Sequence, residues 1–173
     1  ETRTDATQAV RLIFANIYEV CDNPDNIEAR RNMLHAAYLA GSAFTKSYVG
    51  YVHAVAHSLG GRYNVPHGLA NAVLLPHVLE AYGASAYKKL HELAMAIGIS
   101  NANEGHRAGA EKFINDVKEM KLRLDIPDRI REIRKKDISR LARYADKEAN
   151  PLYPVPKLMN AKELERFYYD VME

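Results

Sequence analysis

The chain has 173 residues, of which 47% are apolar and 27% are charged, and its net charge is +2. This balance is typical of a globular protein that can bury a core, and the interspersed charges give no support for binding to nucleic acid or to a membrane surface. No apolar run approaches the ~18 residues of a membrane-spanning helix, the start shows no signal-peptide pattern, and the single cysteine, Cys21, excludes an internal disulfide framework. We therefore expect one domain over residues 1–173, in the cytoplasm.

Two amphipathic helices are predicted at the start of the chain. From Asp5 onwards, apolar residues recur with the 3.6-residue period of an α-helix, and the turn "DNPDN" at 22–26 ends that helix. A second stripe with the same period predicts the next helix. Its apolar positions are Ile27, Leu34, Ala37, Tyr38, Gly41 and Phe44.

The next segment, "GYVHAVAHSLGGRYNVPHGLANAVLLPHV" at 50–78, contains four of the seven histidines. His53 and His57 are four residues apart, so they share one face of a helix. Gly60 and Gly61 are expected to end this helix, because glycine readily supplies a left-handed cap.

The following helix is expected to have Pro66 in its first turn, where proline is well tolerated. His67 then lies in that turn, where the positive potential favours a neutral imidazole, the form that binds a metal. Two helices that meet through a tight turn can bring His53, His57 and His67 around one cavity. A shared metal would satisfy the hydrogen-bonding needs of two or three of these rings at once. The alternative is that they are polar residues tolerated in a helical core.

The rest of the chain also has a helical pattern. Further helices are expected at 90–97, 113–124, 138–145 and 160–171. Asn160 and Glu163 form a capping-box pattern for the last of these, and "NPLYPVP" at 150–156 is expected to be extended. Because no period-2 strand pattern occurs, the sequence predicts an all-α domain of about seven or eight helices.

The four remaining histidines do not flank a glycine-rich turn between two helices, as His53, His57 and His67 do. His35, His91 and His106 are expected at the surface or rim. His77 follows a proline in an apolar helix and is expected in the core or at its rim. We assign no site role to these four.

The 50–78 segment resembles the signature of the iron-containing (group III) alcohol dehydrogenases, with its "HAVAH", glycine turn, "PHG", "NA" and "LLP". The likeness extends outward to "TDATQAVRLIFANI", "ARRNMLHAAYLAGSAF" and "NPLYPVPKLMNAKELERFYYDVM", and so covers essentially the whole chain. In that family a helical C-terminal domain holds a divalent metal, usually iron and sometimes zinc. A separate N-terminal α/β domain binds the nicotinamide cofactor.

The resemblance implies a role for four residues of this chain. His53 and His67 match the family's two later metal ligands. His57 matches the histidine near the nicotinamide that serves as a proton-relay group and is not a ligand. Phe44 falls where an aromatic side chain lines the substrate pocket. The implied activity is NAD(P)-dependent oxidation of a small alcohol, or reduction of an aldehyde, with the metal polarising the alcohol oxygen.

One departure from the family pattern is large. The family's first two ligands are an aspartate and a histidine four residues later, and this chain has no Asp-x-x-x-His. The glycine-rich segment of the nucleotide domain is also without a match. We therefore expect the chain alone to bind metal weakly or not at all, to be inactive, and to expose the face that a nucleotide domain would cover. A homodimer is expected from the family.

Two alternatives to the dehydrogenase reading stay open. A non-catalytic helical module could keep the fold for partner binding. A metal-dependent hydrolase is disfavoured, because such sites usually recruit carboxylates close to their histidines and none lies between His53 and His77.

Overall fold

Eight α-helices form the regular structure of residues 2–173, which are the residues that the computed structural model describes. In chain order they are α1 (Thr2–Asp22), α2 (Ile27–Ser47), α3 (Tyr51–Tyr63), α4 (His67–Tyr82), α5 (Ala84–Ala96), α6 (His106–Arg123), α7 (Ile138–Ala149) and α8 (Ala161–Val171). A 3-10 turn, Lys135–Asp137, precedes α7. Over this range the β-type pairing is an isolated bridge between Ile130 and Met172, and no helix combines the length and apolarity needed to cross a membrane. The prediction of an all-α fold is confirmed.

Residue contacts divide the chain into two compact units. The first unit comprises residues 2–48 and Tyr87–Asn115, and the second comprises Val49–Ala86 and Asp116–Glu173. Helices α5 and α6 each contribute residues to both units. The expectation of a single domain stays a prediction.

In the first unit, α1 and α2 pack against each other through small side chains. Asn26 caps α2 by accepting a hydrogen bond from the Ala29 backbone N–H at 3.0 Å, which satisfies one of the unpaired donors of the first turn. The buried residues of α2 are Ala29, Ala36 and Ala43. Alanines spaced seven residues apart lie near one line along a helix, and their small size allows a close approach of the neighbouring helix.

The predicted apolar stripe of α2 is therefore not its buried side. Ile27, Leu34 and Tyr38 are 75%, 74% and 72% exposed, and Phe44 is 50% exposed. The predicted helix is confirmed, but the prediction of its buried side was wrong. Size and periodicity alone favoured the larger residues over the alanines.

The second unit has α3 at its centre, packed against α4 and α7. Tyr51, the first residue of α3, is fully buried, and its hydroxyl bonds to the Asn150 side-chain oxygen at 2.8 Å and accepts from the Met159 backbone N–H at 2.9 Å. These contacts tie α3 to the segment between α7 and α8. The capping box of α8 is confirmed, since Asn160 accepts from the Glu163 N–H at 3.1 Å and Glu163 accepts from the Asn160 N–H at 2.9 Å.

The end of α3 differs from the prediction. Gly60 and Gly61 lie inside the helix, which continues to Tyr63 and ends at Asn64, whose φ of 57° is left-handed. The Asn64 N–H donates to the Gly60 carbonyl at 2.9 Å. Asparagine adopts this conformation more readily than most residues, and Pro66 two residues later prevents the helix from continuing.

Candidate functional site

The start of α4 brings a third histidine close to the pair on α3. His53 and His57 lie one turn apart, and His67 is the first residue of α4 after the short connection through Pro66. The ring centroids are 5.8 Å apart for His53–His57, 5.3 Å for His53–His67 and 5.2 Å for His57–His67. We call these three side chains the histidine cluster. The structure thus places together the three imidazoles that the sequence selected, all within the second unit.

The cluster opens to solvent on one side. His57 and His67 are exposed, and His53 is half-buried. Burial lowers the pKa of His53, and the neighbouring His67 and His57 lower it further, against an opposing effect of Glu148. The neutral form of His53, which has a free lone pair for a metal or a proton, is therefore favoured near neutral pH.

The carboxylate of Glu148, on α7, contacts the cluster through His57. The Glu148 Oε1 atom lies 2.7 Å from the His57 Nδ1 atom, and the Tyr153 hydroxyl donates to the same oxygen at 2.9 Å. Burial, together with the hydrogen bond to Glu148, raises the pKa of Tyr153 to about 12. Sequence reasoning missed Glu148, because it searched for carboxylates near the histidines along the chain and this one is 91 residues away.

His67 is held by a residue of its own helix. The Asn71 side-chain NH₂ donates to the His67 backbone carbonyl at 2.9 Å and lies 3.0 Å from the His67 Nε2 atom. This contact makes Nε2 an acceptor and assigns the ring proton of neutral His67 to Nδ1. The Asn71 Oδ1 atom is a buried acceptor with no hydrogen-bond partner among residues 2–173.

A groove between α3 and α7 leads away from His57. Its volume is about 450 Å³, and its lining includes Ser58, Arg62, Arg140, Tyr144 and Glu148.

Asp137 accepts hydrogen bonds from two arginines that line this groove. Arg62 donates to its Oδ2 atom at 3.3 Å and Arg140 to its Oδ1 atom at 3.1 Å, while the Tyr63 hydroxyl donates to Oδ2 at 3.0 Å. Burial acts to raise the pKa of Asp137, but the hydrogen bonds from Tyr63 and Arg62 and the charges of both arginines outweigh it and lower the pKa.

The cluster fits part of a metal site. His53 and His67 provide imidazole nitrogens, which suit iron, zinc and related divalent ions. A protein metal site usually requires three or four protein ligands, and within the described part of the chain no group of three or more His, Cys, Asp or Glu side chains is arranged to hold an ion. A cation at the His67 Nε2 atom would also replace the amide hydrogen of Asn71. Residues 2–173 therefore offer two imidazole donors at this place, fewer than a protein metal site usually has.

The other residues considered from the sequence are not members of the histidine cluster. Phe44 is a half-exposed residue of α2 in the first unit, and its predicted role in a substrate pocket stays a prediction. His35 and His106 are exposed, as expected, and His77 is half-buried. His91 was expected at the surface or rim, which is wrong, because it is only 2% exposed. Its ring packs against Gly109 and bonds to a backbone carbonyl, so its polar atoms are satisfied inside the protein.

Comparisons with known proteins agree on one family. The family described as "Fe-containing alcohol dehydrogenase family, C-terminal" matches residues 2–172. The 1,3-propanediol dehydrogenase of Klebsiella pneumoniae is 36% identical over 169 residues, covering 96% of this chain and 43% of the relative. The NAD-dependent methanol dehydrogenase of Bacillus methanolicus is 32% identical over 142 residues, covering 81% of this chain and 37% of the relative.

The fold comparison gives the same result. A crystal structure of 1,3-propanediol oxidoreductase superposes with a TM-score of 0.90 at 34% identity, covering 98% of this chain and 45% of that one. The chain thus spans less than half the length of the relatives that it matches. Together with the histidine cluster and the all-helical fold, these matches show that the chain belongs to the Fe-containing alcohol dehydrogenase family and corresponds to its C-terminal domain.

Proposed function

We propose that this chain is the metal-binding, substrate-facing part of an NAD(P)-dependent alcohol dehydrogenase that also acts as an aldehyde reductase. The observation that carries the proposal is the grouping of His53, His57 and His67 within 5.8 Å of one another, in a chain of this family. The names of the relatives support small alcohols as substrates, and one of them is NAD-dependent.

In this proposal His53 and His67 hold the divalent metal, with iron favoured by the family and zinc as the alternative. When bound, such a metal acts as a Lewis acid that polarises the alcohol oxygen and lowers its pKa. The remaining ligands and the nucleotide site are contributed by the rest of a longer protein.

His57 has a different proposed role. One of its nitrogens is already bonded to Glu148, and the other can exchange a proton with a hydroxyl group at the cluster or with solvent. It would also lie beside the nicotinamide, which carries the hydride. Phe44 is proposed to line the substrate pocket.

The 173-residue chain alone is proposed to be inactive and to hold metal weakly. Two imidazoles leave most of a coordination shell to water, and a nucleotide site is required for hydride transfer. We further propose that the whole protein is a cytoplasmic homodimer whose partner molecules are alcohols and aldehydes rather than nucleic acids or membranes.

The test uses the full-length protein, assayed for alcohol oxidation with NAD and with NADP and analysed for bound metal. His53→Ala and His67→Ala should each remove metal and activity together. His57→Ala should retain the metal and lower kcat by about 100-fold, the lower end of the range for a general acid–base residue. His35→Ala, at an exposed position of α2, is the control and should change neither quantity.

Two outcomes would contradict this assignment. If His57→Ala lost as much metal as His53→Ala, then His57 would be a ligand. If the full-length protein showed no metal-dependent turnover with any small alcohol or aldehyde, the dehydrogenase proposal would fail. The exposed apolar stripe of α2 would then favour the alternative of a helical module that binds a protein partner.

A further inference from the structure

The contact between Glu148 and His57 joins the last turn of α7 to the middle of α3. The Glu148 Oε1 atom is 2.7 Å from the His57 Nδ1 atom, and the two side chains are 34% and 42% exposed. A pair with this exposure contributes little to stability. The contact therefore has little effect on stability, and we expect its main effect to be on the chemistry of the imidazole.

The contact determines which nitrogen of His57 carries the hydrogen. An ionised carboxylate can only accept hydrogen bonds. Tyr153, whose pKa is raised to about 12, stays protonated near neutral pH and donates to the same Oε1 atom at 2.9 Å. Glu148 therefore faces two donors, the Tyr153 hydroxyl and the His57 Nδ1–H. A neutral His57 with its hydrogen on Nδ1 has its lone pair on Nε2.

The same contact limits rotation of the ring. His57 stacks on His67 with an interplanar angle of 21° and a centroid distance of 5.2 Å. The stacking restrains the plane of the ring, and the hydrogen bond to Glu148 determines which edge of that plane points away from α7. A carboxylate that orients a histidine in this way is a recurrent feature of sites in which the imidazole must be basic and correctly placed.

We propose that Glu148, held in turn by Tyr153, is a positioning residue that keeps His57 in the Nδ1–H form and directs Nε2 towards the reacting hydroxyl group. This inference rests on the proposed function for its chemical consequence. In alcohol oxidation the hydroxyl O–H bond would break as an Nε2–H bond forms on His57, and a bound nicotinamide cofactor would accept the carbon-bound hydrogen with its electron pair. The imidazolium then releases its proton to solvent. In aldehyde reduction the same atoms move in reverse.

The kinetic test uses the full-length enzyme with four substitutions. Glu148→Ala should lower kcat by about 10- to 100-fold, as expected for loss of a residue that orients a functional histidine, with KM and bound metal close to wild type. Glu148→Gln keeps an acceptor oxygen at this position and should restore most of the lost turnover. Tyr153→Phe should give a smaller fall than Glu148→Ala. Glu80→Gln removes a half-exposed carboxylate that pairs with Lys118 elsewhere in the second unit and is the matched control.

A double-mutant cycle distinguishes positioning from a general structural effect. In a His57→Ala background, Glu148→Ala should cause no further loss of kcat, because there is no imidazole left to position. An additional loss of the same size as in the wild-type background would overturn the proposal. So would an unchanged kcat in the Glu148→Ala variant, or a loss of metal equal to that of His53→Ala, which would make Glu148 a ligand.

A spectroscopic readout separates this inference from the proposed function. Nitrogen-15 NMR of labelled histidine in the full-length protein should show the Nδ1–H tautomer for neutral His57, and Glu148→Ala should shift the ring towards the other tautomer. This measurement does not need turnover. If the wild-type protein proved inactive with alcohols, the proposed function would fail while the tautomer would still decide the inference. An unchanged tautomer in Glu148→Ala would overturn it.

Discussion

Histidines in ring contact occur in both units, but their nitrogens have different partners. In the first unit the His91 and His106 centroids are 5.3 Å apart, with 3.0 Å between their Nδ1 atoms, and the His91 Nε2 atom lies 3.1 Å from the Asn101 carbonyl oxygen. His91 is only 2% exposed. In the histidine cluster of the second unit the centroid distances are similar, but two of the three side chains are exposed.

The difference lies in how the ring nitrogens are used. His91 can only donate from Nε2 to a carbonyl, so its Nδ1 accepts from His106, and both of its nitrogens are used internally. His57 has one nitrogen bonded to a carboxylate, which leaves a lone pair on the other, and it faces solvent. Ring proximity is thus a weak sign of function by itself. The hydrogen-bond partners and the exposure of each ring are more informative.

The largest expected effect concerns the space around the buried ring of His91. A Cβ atom at Gly109 would lie 2.1 Å from the His91 Cδ2 atom, whereas a Cβ at Gly41 in α2 would meet nothing within 4 Å. Gly109→Ala should therefore reduce the free energy of unfolding by about 3 kcal/mol through overpacking. Gly41→Ala, the matched control, should increase it by about 0.5–1 kcal/mol because alanine favours a helix interior. Chemical denaturation measures both.

A rescue experiment ties the Gly109 effect to His91. Combining Gly109→Ala with His91→Ala should cost less than the sum of the two single substitutions, because the second change removes the clash. Strict additivity would show that the strain at Gly109 lies elsewhere.

The next effect compares one histidine from each unit. His91→Ala should reduce the free energy of unfolding by about 2 kcal/mol, because it opens a cavity and leaves the Asn101 carbonyl without its donor. His57→Ala should change it by less than about 1 kcal/mol, because His57 and its partner Glu148 are both partly exposed. Urea unfolding curves of the two variants provide the measurement. Equal losses would contradict the distinction between a buried histidine that stabilises the fold and an exposed one that does not.

Much of the fold was predictable, because helices are encoded locally. The capping box of Asn160 and Glu163 and the turn before α2 depend on residues three or four positions apart, so sequence spacing was sufficient. The choice of buried face on α2 was not local. It depends on the shape of α1, which accepts alanines rather than the larger Leu34 and Tyr38.

In the candidate site, too, the local features were predictable from the sequence and the distant contacts were not. His53 and His57 share a helix face and His67 begins the next helix, so their proximity follows from a short segment and one turn. Glu148 lies on another helix, 91 residues from His57 along the chain, and its contact follows only from the packing of α3 against α7. The burial of His91 also depends on a distant residue, because Gly109 on α6 leaves the space that the ring occupies.

A smaller effect compares two asparagines that bond to the preceding helical turn. Asn16 in α1 donates to the Leu12 carbonyl at 2.8 Å and accepts from Asn32 at 3.1 Å. Asn71, beside the histidine cluster, donates to His67 but has a buried oxygen without a partner in residues 2–173. Asn16→Ala should destabilise the protein by about 1 kcal/mol through its lost hydrogen bonds.

Asn71→Ala should change the stability by less than about 0.5 kcal/mol, because the gain in helix propensity and the removal of an unsatisfied oxygen offset the lost bonds. Thermal unfolding of the two variants under the same conditions compares them directly. A larger loss for Asn71→Ala than for Asn16→Ala would mean that the cluster is built for stability, contrary to the comparison above.

The smallest effect concerns His77, which lies on α4 ten residues after His67 and is half-buried. Burial lowers the pKa of His77 from its ordinary value of 6.5, and Lys121 and Lys118 add to this effect against the opposing charges of Asp170 and Glu80. A lowered pKa means that the unfolded chain takes up this proton more readily than the folded protein. Stability must therefore fall as the pH decreases through 6.5, and this loss is complete once the pH is below the folded-state pKa. His77→Gln removes this titrating group. The free energy of unfolding of the variant, measured relative to that of the wild type, should therefore rise as the pH decreases from 7 to 5. Because burial is the main cause, the shift should persist in 1 M salt, which screens exposed charges. A difference that stayed constant over this pH range, or that vanished in salt, would show that His77 behaves as a solvated surface residue rather than as a partly buried one.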